Sequence, residues 1–525
     1  MTHTILPLPT MSALNAVSMP STAPLQPLLQ CDLSHHSLLS IKELVEQCRQ
    51  ALEANSTLIS WFGRASVSGE PAGTVVTAVL LPSGQPLQVL RGHAEPGQSY
   101  PSMSVQFPAA QIYERELWEQ TGLVPQGHPW LKPVRFEGQR QTHMADYPFF
   151  KMRGAEVHEV AVGPIHAGVI EPGHFRFMCH GEQVYHLEIQ LGYQHRAVEA
   201  LLLQRPPERL SPLVESVVGD SVVAYTWAFN AALESMANKP AAPTTIASRA
   251  IGLELERVAM HLATLTGLAT DIAYLQPAGT YQRLRTAIIN ASQRVCGNRF
   301  GKGWIRPGAA AAITEALRTD VLNTLRAFLP DFQQVNALMR TSRSVQARFQ
   351  GIGTVSAQTA RELGLTGVVA RASGLQLDLR HALPGTAYGA APVQPQTQLS
   401  GDCWARMCQR MAEAEASTQW LLALLAHPAF NLADTPAPFA PLASAGCQTW
   451  PLQANALCVS LVEGVRGPVL VALETNAQGQ LIHAKVQDPS LANWFGLAFA
   501  LRRQAISDFP ICNKSFDLSY CGNDL

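Results

Sequence analysis

Four absences bound what this chain of 525 residues can do. Its ten cysteines form no CxxC pair, and no spacing matches a zinc site or a four-cysteine iron–sulfur site. They read as reduced, structural thiols of a cytosolic compartment. No apolar run reaches the roughly 18–20 residues of a membrane-spanning helix, so any membrane association must come through partners. No GxGxxG follows a strand-like run, so nothing here binds a nicotinamide dinucleotide. The formal net charge of −1 gives no field to gather nucleic acid or anionic lipid, and nucleic acid is not expected as a partner. Charged residues make up 15% of the chain, which suits a protein that buries surface against other subunits.

At 47% hydrophobic and this length, two or more domains are expected. Residues 1–30, rich in Pro, Ser and Thr and without the charged start of a secretory signal, read as a mobile tail. Residues 31–150 read as a small α/β domain. Helical spacing near 36–56 is followed by the strand-like runs TVVTAVLLP and QPLQVLRG. A helix in QIYERELWEQTGLVPQGHPWLKPVRF then stops at Gly122 and Gly127. Residues 151–525 read as a mainly α (α+β) domain with a central helical bundle decorated by small sheets. Helices are predicted over 212–237, 245–274, 281–296, 311–329 and 401–426, a Pro/Ala-rich connector over 427–449, and strands over 457–486.

The most distinctive stretches are VGPIHAGVIEPGHFRF (162–177), LGYQHRAVEAL (191–201), ELERVAMHL (254–262), FGKGWIRPG (300–308), GLTGVVARASGLQLDLR (364–380) and DPSLANWFGLAFALR (488–502). In them the chain resembles the large subunit of energy-converting nickel–iron hydrogenases of the formate hydrogenlyase and hydrogenase-4 type. It is equally similar to the quinone-site, 49 kDa-type subunit of respiratory complex I. YERELWEQTGLVPQGHPWL (113–131) resembles the complex I 30 kDa-type subunit. The resemblance implies a fusion of the two, with a hydrogenase-large-subunit-like fold after an α/β domain.

In the hydrogenases two CxxC pairs hold nickel and iron, because such a centre needs soft, anionic thiolates. The matching positions here are Val218, Ser221, Ser519 and Gly522. Two of these side chains cannot ligate metal, and a serine hydroxyl is a poor substitute, so a nickel–iron centre is expected to be absent. Cys521 stands one position out of register, and Cys512 and Cys521 read as inert.

Where the hydrogenase pattern carries histidine, four residues beyond Ser221, this chain has Tyr225, in the segment Val223-Ala224-Tyr225-Thr226. In complex I that tyrosine faces the quinone headgroup. The complex I loop histidine is matched approximately by His166 or His174, and its partner carboxylate by Asp271. The resemblance therefore implies a polar set of Tyr225, a loop histidine and Asp271 for a two-electron, two-proton reduction. Glu254, Arg257 and His261 share one helical face and read as a buried structural network. Arg306 reads as an interface anchor or a loop brace, and His195 and Arg196 as a loop lock.

What the resemblance implies is an electron-accepting oxidoreductase subunit that works only within a complex. Electrons would come from a [4Fe–4S] cluster on a 20 kDa-type small subunit and go to a quinone, driving ion translocation in integral membrane partners alongside other hydrophilic-arm subunits. The chain itself would bind no cofactor and sit peripherally on the cytoplasmic side of the inner (plasma) membrane. Three alternatives stay open: a metal-free scaffold of a hydrogenase-4-like complex, a reductase of another acceptor, and, last, hydrogen turnover.

Overall fold

A computed structural model describes residues 25–34, 37–138, 143–166, 170–206, 209–427 and 450–525. Most of the predicted tail and connector, and Cys447, lie outside the described residues.

The first folded unit is a four-stranded sheet in the order Leu39–Ser40, Gln88–Ala94, Thr74–Leu81, Thr57–Ala65. Helix Ile41–Glu53 starts at a capping box, Ser40 with Glu43, and buries Ile41, Leu44, Val45 and Cys48 against it. Helix Gln111–Thr121 ends on Gly122, whose φ of 81° is a conformation that glycine reaches without strain.

The Thr57–Ala65 and Thr74–Leu81 strands are almost wholly buried, which is not the alternation of a sheet with one wet face. The reason is a second sheet, ordered Leu28–Asp32, Ala456–Gly464, Gly467–Thr475, Leu481–Gln487. Ile59, Phe62, Val79 and Leu87 of the first sheet share one apolar cluster with Leu457, Val459, Leu461 and Leu470 of the second. Inside this seam Glu474 accepts from both Arg64 and Arg91, so its burial is compensated.

The tail does not extend to residue 30, because Leu28–Asp32 pairs antiparallel with Ala456–Gly464 and completes the second sheet. Leu29 is packed into the seam, and two adjacent leucines there outweigh the Pro- and Ser-rich composition before them.

The rest is a helical bundle of Val222–Met236, Pro243–Asp271, Leu275–Cys296, Glu315–Thr341 and Cys403–Ala426, with a three-stranded meander over Val157–Val162, His174–His180 and Gln183–Gln190 beside it. Two helix limits differ most from the sequence reading. The helix predicted from 212 begins only at Val222, after a short turn Ser211–Val214 and the irregular residues through Ser221. The helix predicted to stop at 329 runs through Pro330 to Thr341. Buried Phe328 and Phe332, stacked at 5.1 Å, hold it across the proline.

The chain ends inside the fold. Leu525 is buried, Asp524 accepts from the Gly192 and Gln194 amides at 2.8 and 2.9 Å, and Arg196 N donates to Leu525 O at 2.7 Å. His195 Nδ1 meets Asp524 O at 2.8 Å, and the Arg196 guanidinium donates to Ser216 O and Val217 O. These contacts pin the C-terminus to the loop before residue 222, and so bring the two ligand-pattern segments together.

Candidate functional site

Residues 218–225 and 519–522 converge on two side chains that sequence reasoning did not single out, Asp488 and Arg466. Asp488 precedes Pro489 at the start of helix Ser490–Ala500, and its Oδ1 accepts from Ser490 N at 2.7 Å. Its Oδ2 accepts from the Tyr225 hydroxyl. Tyr225 is fully buried, so its phenol is pushed well above its usual range by burial and then by the Asp488 charge. It stays a neutral donor.

Arg466, on the turn between Ala456–Gly464 and Gly467–Thr475, forks onto Asp220 with two contacts of 2.8 Å. Its Nη1 also reaches Ser221 Oγ at 3.5 Å, and its Nε donates to Asp517 O. Against the cost of burial, Lys514, Arg466 and Arg410 hold the Asp517 carboxyl far below the usual range.

The residues at the four ligand positions do not fit a nickel–iron centre. Val218 is an apolar core residue, and Ser519 spends its hydroxyl capping the last helix, accepting from Gly522 N at 2.9 Å. A Cβ on Gly522 would stand 2.4 Å from Asp488 Oδ2, so the carboxylate fills the room a fourth ligand would need. The Arg466 guanidinium, beside Ser221, adds a cation where a metal would need anions.

Of the other sequence candidates, His166 lies in the loop after Val157–Val162, with Nε2 3.0 Å from Gly173 O, and ties the two ends of that loop. Glu171 in the same loop accepts from the Tyr520 and Cys521 amides at 3.2 and 3.4 Å, which seats the loop on the C-terminal helix beside the site. His174 opens strand His174–His180 and packs 5.2 Å from the Phe149 ring. Burial, and then Arg176, hold its pKa below the usual value, and among the described residues its Nε2 has no hydrogen-bond partner.

Asp271 is exposed at the end of helix Pro243–Asp271, about 22 Å along that helix from Glu256, given 1.5 Å per residue. It does not meet Tyr225. The two ends are joined instead through Lys514, whose Nζ is 2.9 Å from Asp517 Oδ1 and whose charge acts on Asp271.

Glu256 was also missed. It accepts from Val223 N at 2.6 Å and Ala224 N at 3.2 Å, capping from a distance the helix that Ser221 leaves without a side-chain cap. Burial, with Asp220 adding to it, raises its pKa to about 8 despite those two bonds. It lines a narrow crevice with Asp220, Ser292, Arg299 and Trp304. Asp488 could have been noticed as the Asp-Pro-Ser that opens a matched stretch. No local signal marked Arg466 or Glu256.

The Glu254–Arg257–His261 face is the buried network its spacing implied. Arg257 and Arg380 reach Glu254 at 3.2 and 3.0 Å, and His261 meets Glu413 at 3.1 Å. Arg306 pairs with Glu215 inside the fold, which favours a loop brace.

Two family models match. Residues 41–151 match the respiratory-chain NADH dehydrogenase 30 Kd subunit, and residues 271–429 match its 49 Kd subunit. The chain fuses a 30 Kd-type domain to a 49 Kd-type domain. This fusion protein is 27% identical over 455 residues to hydrogenase-4 component G of Escherichia coli K12, across 81% of this chain and 76% of the relative. It is 27% identical to the carbon monoxide-induced hydrogenase of Rhodospirillum rubrum, across 69% of this chain and 97% of the relative. It is 28% identical to NADH dehydrogenase (ubiquinone) iron-sulfur protein 2 of Arabidopsis thaliana, across 47% of this chain and 62% of the relative. Its relatives are thus oxidoreductase subunits, of NADH-quinone oxidoreductases and of hydrogenases. Neither matched segment reaches Tyr225, Asp488 or the four ligand positions. Among the described residues no helix is long and apolar enough to cross a membrane, and no group of three or more His, Cys, Asp or Glu could hold a metal ion.

Proposed function

We propose that the fusion protein is the electron-accepting core of a complex I-like, ion-translocating membrane oxidoreductase, bound peripherally on the cytoplasmic side of the inner membrane. Electrons arrive from a [4Fe–4S] cluster on an iron–sulfur partner and reduce a quinone between the two proteins; other hydrophilic-arm subunits and integral membrane ion-translocating subunits make up the rest of the assembly. The observation that carries this reading is the Tyr225–Asp488 hydrogen bond standing where a metal ligand set would be. The neutral phenol is suited to serve a quinone oxygen once its single hydrogen turns from Asp488 to that oxygen, with the carboxylate holding it until then. His166 or His174 serves the second oxygen, and Asp271 is the proposed proton source, coupled to the site through the charges of Lys514, Asp517 and Arg466.

The test is quinone-dependent oxidation of the partner cluster in the purified complex, with nickel quantified in the same sample. Fast, inhibitor-sensitive oxidation without nickel supports the reading, and nickel near one per chain overturns it. A metal-free scaffold is the second reading. It is favoured by the complete burial of Tyr225 and the engagement of its hydroxyl, and the absence of any quinone response would support it.

A further inference from the structure

Outside the site, one buried cation stands out for its partners. Arg406, on helix Cys403–Ala426, is fully buried, yet among the described residues no carboxylate lies within ion-pair distance of it. Its Nη1 donates to Gly353 O and Gly401 O at 3.0 and 2.8 Å, and its Nε to Ser515 Oγ at 2.8 Å. Its Nη2 faces sulfur, at 3.3 Å from Cys403 Sγ and 3.9 Å from Cys512 Sγ. A buried guanidinium needs a counter-charge, and the groups placed to supply one are these thiols.

The surroundings single out Cys403. It is the first residue of its helix, at the positive end of the helix dipole, where Asp402 caps Ala405 N, and Ser515 Oγ lies 3.5 Å from its sulfur. The Cys512 thiol acts on the same sulfur. Gly353 completes the seat, since a Cβ there would stand 2.5 Å from Cys512 Sγ. Burial alone raises a thiol, as it does for Cys48 and Cys458, both pushed up to about 12. Cys403 goes the other way, to about 6, against its own burial and under the pull of Cys512, Arg406 and Ser515.

We propose that Cys403 and Cys512 form a redox-active pair, in which Cys403 rests as a thiolate paired with Arg406 and closes to a disulfide with Cys512 when a hydroperoxide oxidises it. In the first step the Cys403 thiolate attacks hydrogen peroxide; the O–O bond breaks, Cys403 becomes a sulfenic acid, and hydroxide leaves. In the second the Cys512 thiol attacks that sulfur; the S–S bond forms and water leaves. The pair gives up two electrons, and the peroxide takes both. Closure removes the counter-charge of Arg406. The consequence falls on the segment after Cys512, because Phe516 packs its ring 4.4 Å from the Arg406 guanidinium and Asp517 and Ser519 follow. The pair thereby links oxidation to the geometry around Arg466 and Asp488.

The test treats the full chain with hydrogen peroxide, traps remaining thiols by alkylation, and maps peptides without reduction. A 403–512 linked peptide is expected, with Cys48 and Cys458 still reduced, and with no link in Cys403→Ser or Cys512→Ser. Because either variant could fold poorly, the ultraviolet absorbance of thiolate is also titrated in the unmodified chain. One thiolate per chain at neutral pH is expected, lost after peroxide treatment. Absence of that thiolate, a link that forms only after denaturation, or oxidation of Cys403 with no link to Cys512 would each overturn the proposal.

Discussion

Asp488 stands in the space that a side chain on residue 522 would occupy: a Cβ there would lie 2.4 Å from Asp488 Oδ2 and 2.8 Å from Ser519 Oγ. Loss of a ligand at 522 and presence of the carboxylate are therefore one arrangement, not two. Gly522→Cys is expected to cost about 1–3 kcal/mol by overpacking. Combining it with Asp488→Ala, which removes the clashing oxygen, should cost at least about 0.5 kcal/mol less than the two single changes added together. Urea denaturation of the four-member cycle measures this, and strict additivity would refute the coupling.

The same packing predicts how the complex responds to metal removal. The donors left at 218, 221, 519 and 522 include no thiolate, so extended treatment with a strong chelator that spares iron–sulfur clusters should change neither the melting temperature of this protein nor turnover of the complex. Loss of turnover on chelation, restored by nickel, would contradict the site as described.

Tyr225→Phe separates the proposed chemistry from the fold. The change takes the Tyr225 donor from Asp488 Oδ2, leaving only Ser490 N on Oδ1, which should cost about 1.5–3 kcal/mol, the range for hydrogen bonds to charged groups. If the phenol lends its proton to a quinone, turnover should fall by about a hundredfold or more while the complex still assembles. Asp488→Asn keeps one acceptor oxygen, for either Tyr225 or Ser490 N, so it should lose stability as well. Quinone-dependent cluster oxidation alongside a melting curve distinguishes the two effects, and unchanged turnover in the phenylalanine variant sinks the assignment of Tyr225.

Most helices were legible because each is written locally: the capping box at Ser40 and Glu43, Gly122 after its helix, the long apolar periodicity before Asp271. Local signals failed where tertiary packing decided the outcome. Leu28 and Leu29 become a strand only because Ala456–Gly464 offers an edge more than 400 residues away. Pro330 sits inside a helix because the apolar residues on both sides of it are buried. The site shows the same division. Tyr225 is visible by its place in a motif, whereas its partner Asp488 is 263 residues away and Arg466 reaches Asp220 across 246. Asp271 illustrates the converse, since a good match in sequence lies at the far end of its helix from Tyr225.

Two buried groups predict how stability depends on pH, and they act in opposite directions. Glu256 has its folded pKa raised to about 8 by burial, against an ordinary value of 4.5. Below 4.5 it is protonated whether folded or not and adds no slope. Between about 4.5 and 8 the unfolded chain releases the proton while the fold keeps it, so stability falls as pH rises, by at most about 1.4 kcal/mol per unit. His261 is fully buried and held neutral, its pKa lowered to about 4 by that burial against the pull of Glu413. As pH falls from 6.5 towards 4 the unfolded chain takes up a proton that the fold refuses, and stability falls again. The Glu256→Gln variant retains an acceptor for the Val223 or Ala224 amide but cannot titrate. Its denaturation midpoint should therefore lose the decline between about pH 5 and 8 that the unmodified chain shows, while the fall on the acid side persists. If both proteins decline in parallel up to pH 8, Glu256 does not hold its proton in the fold.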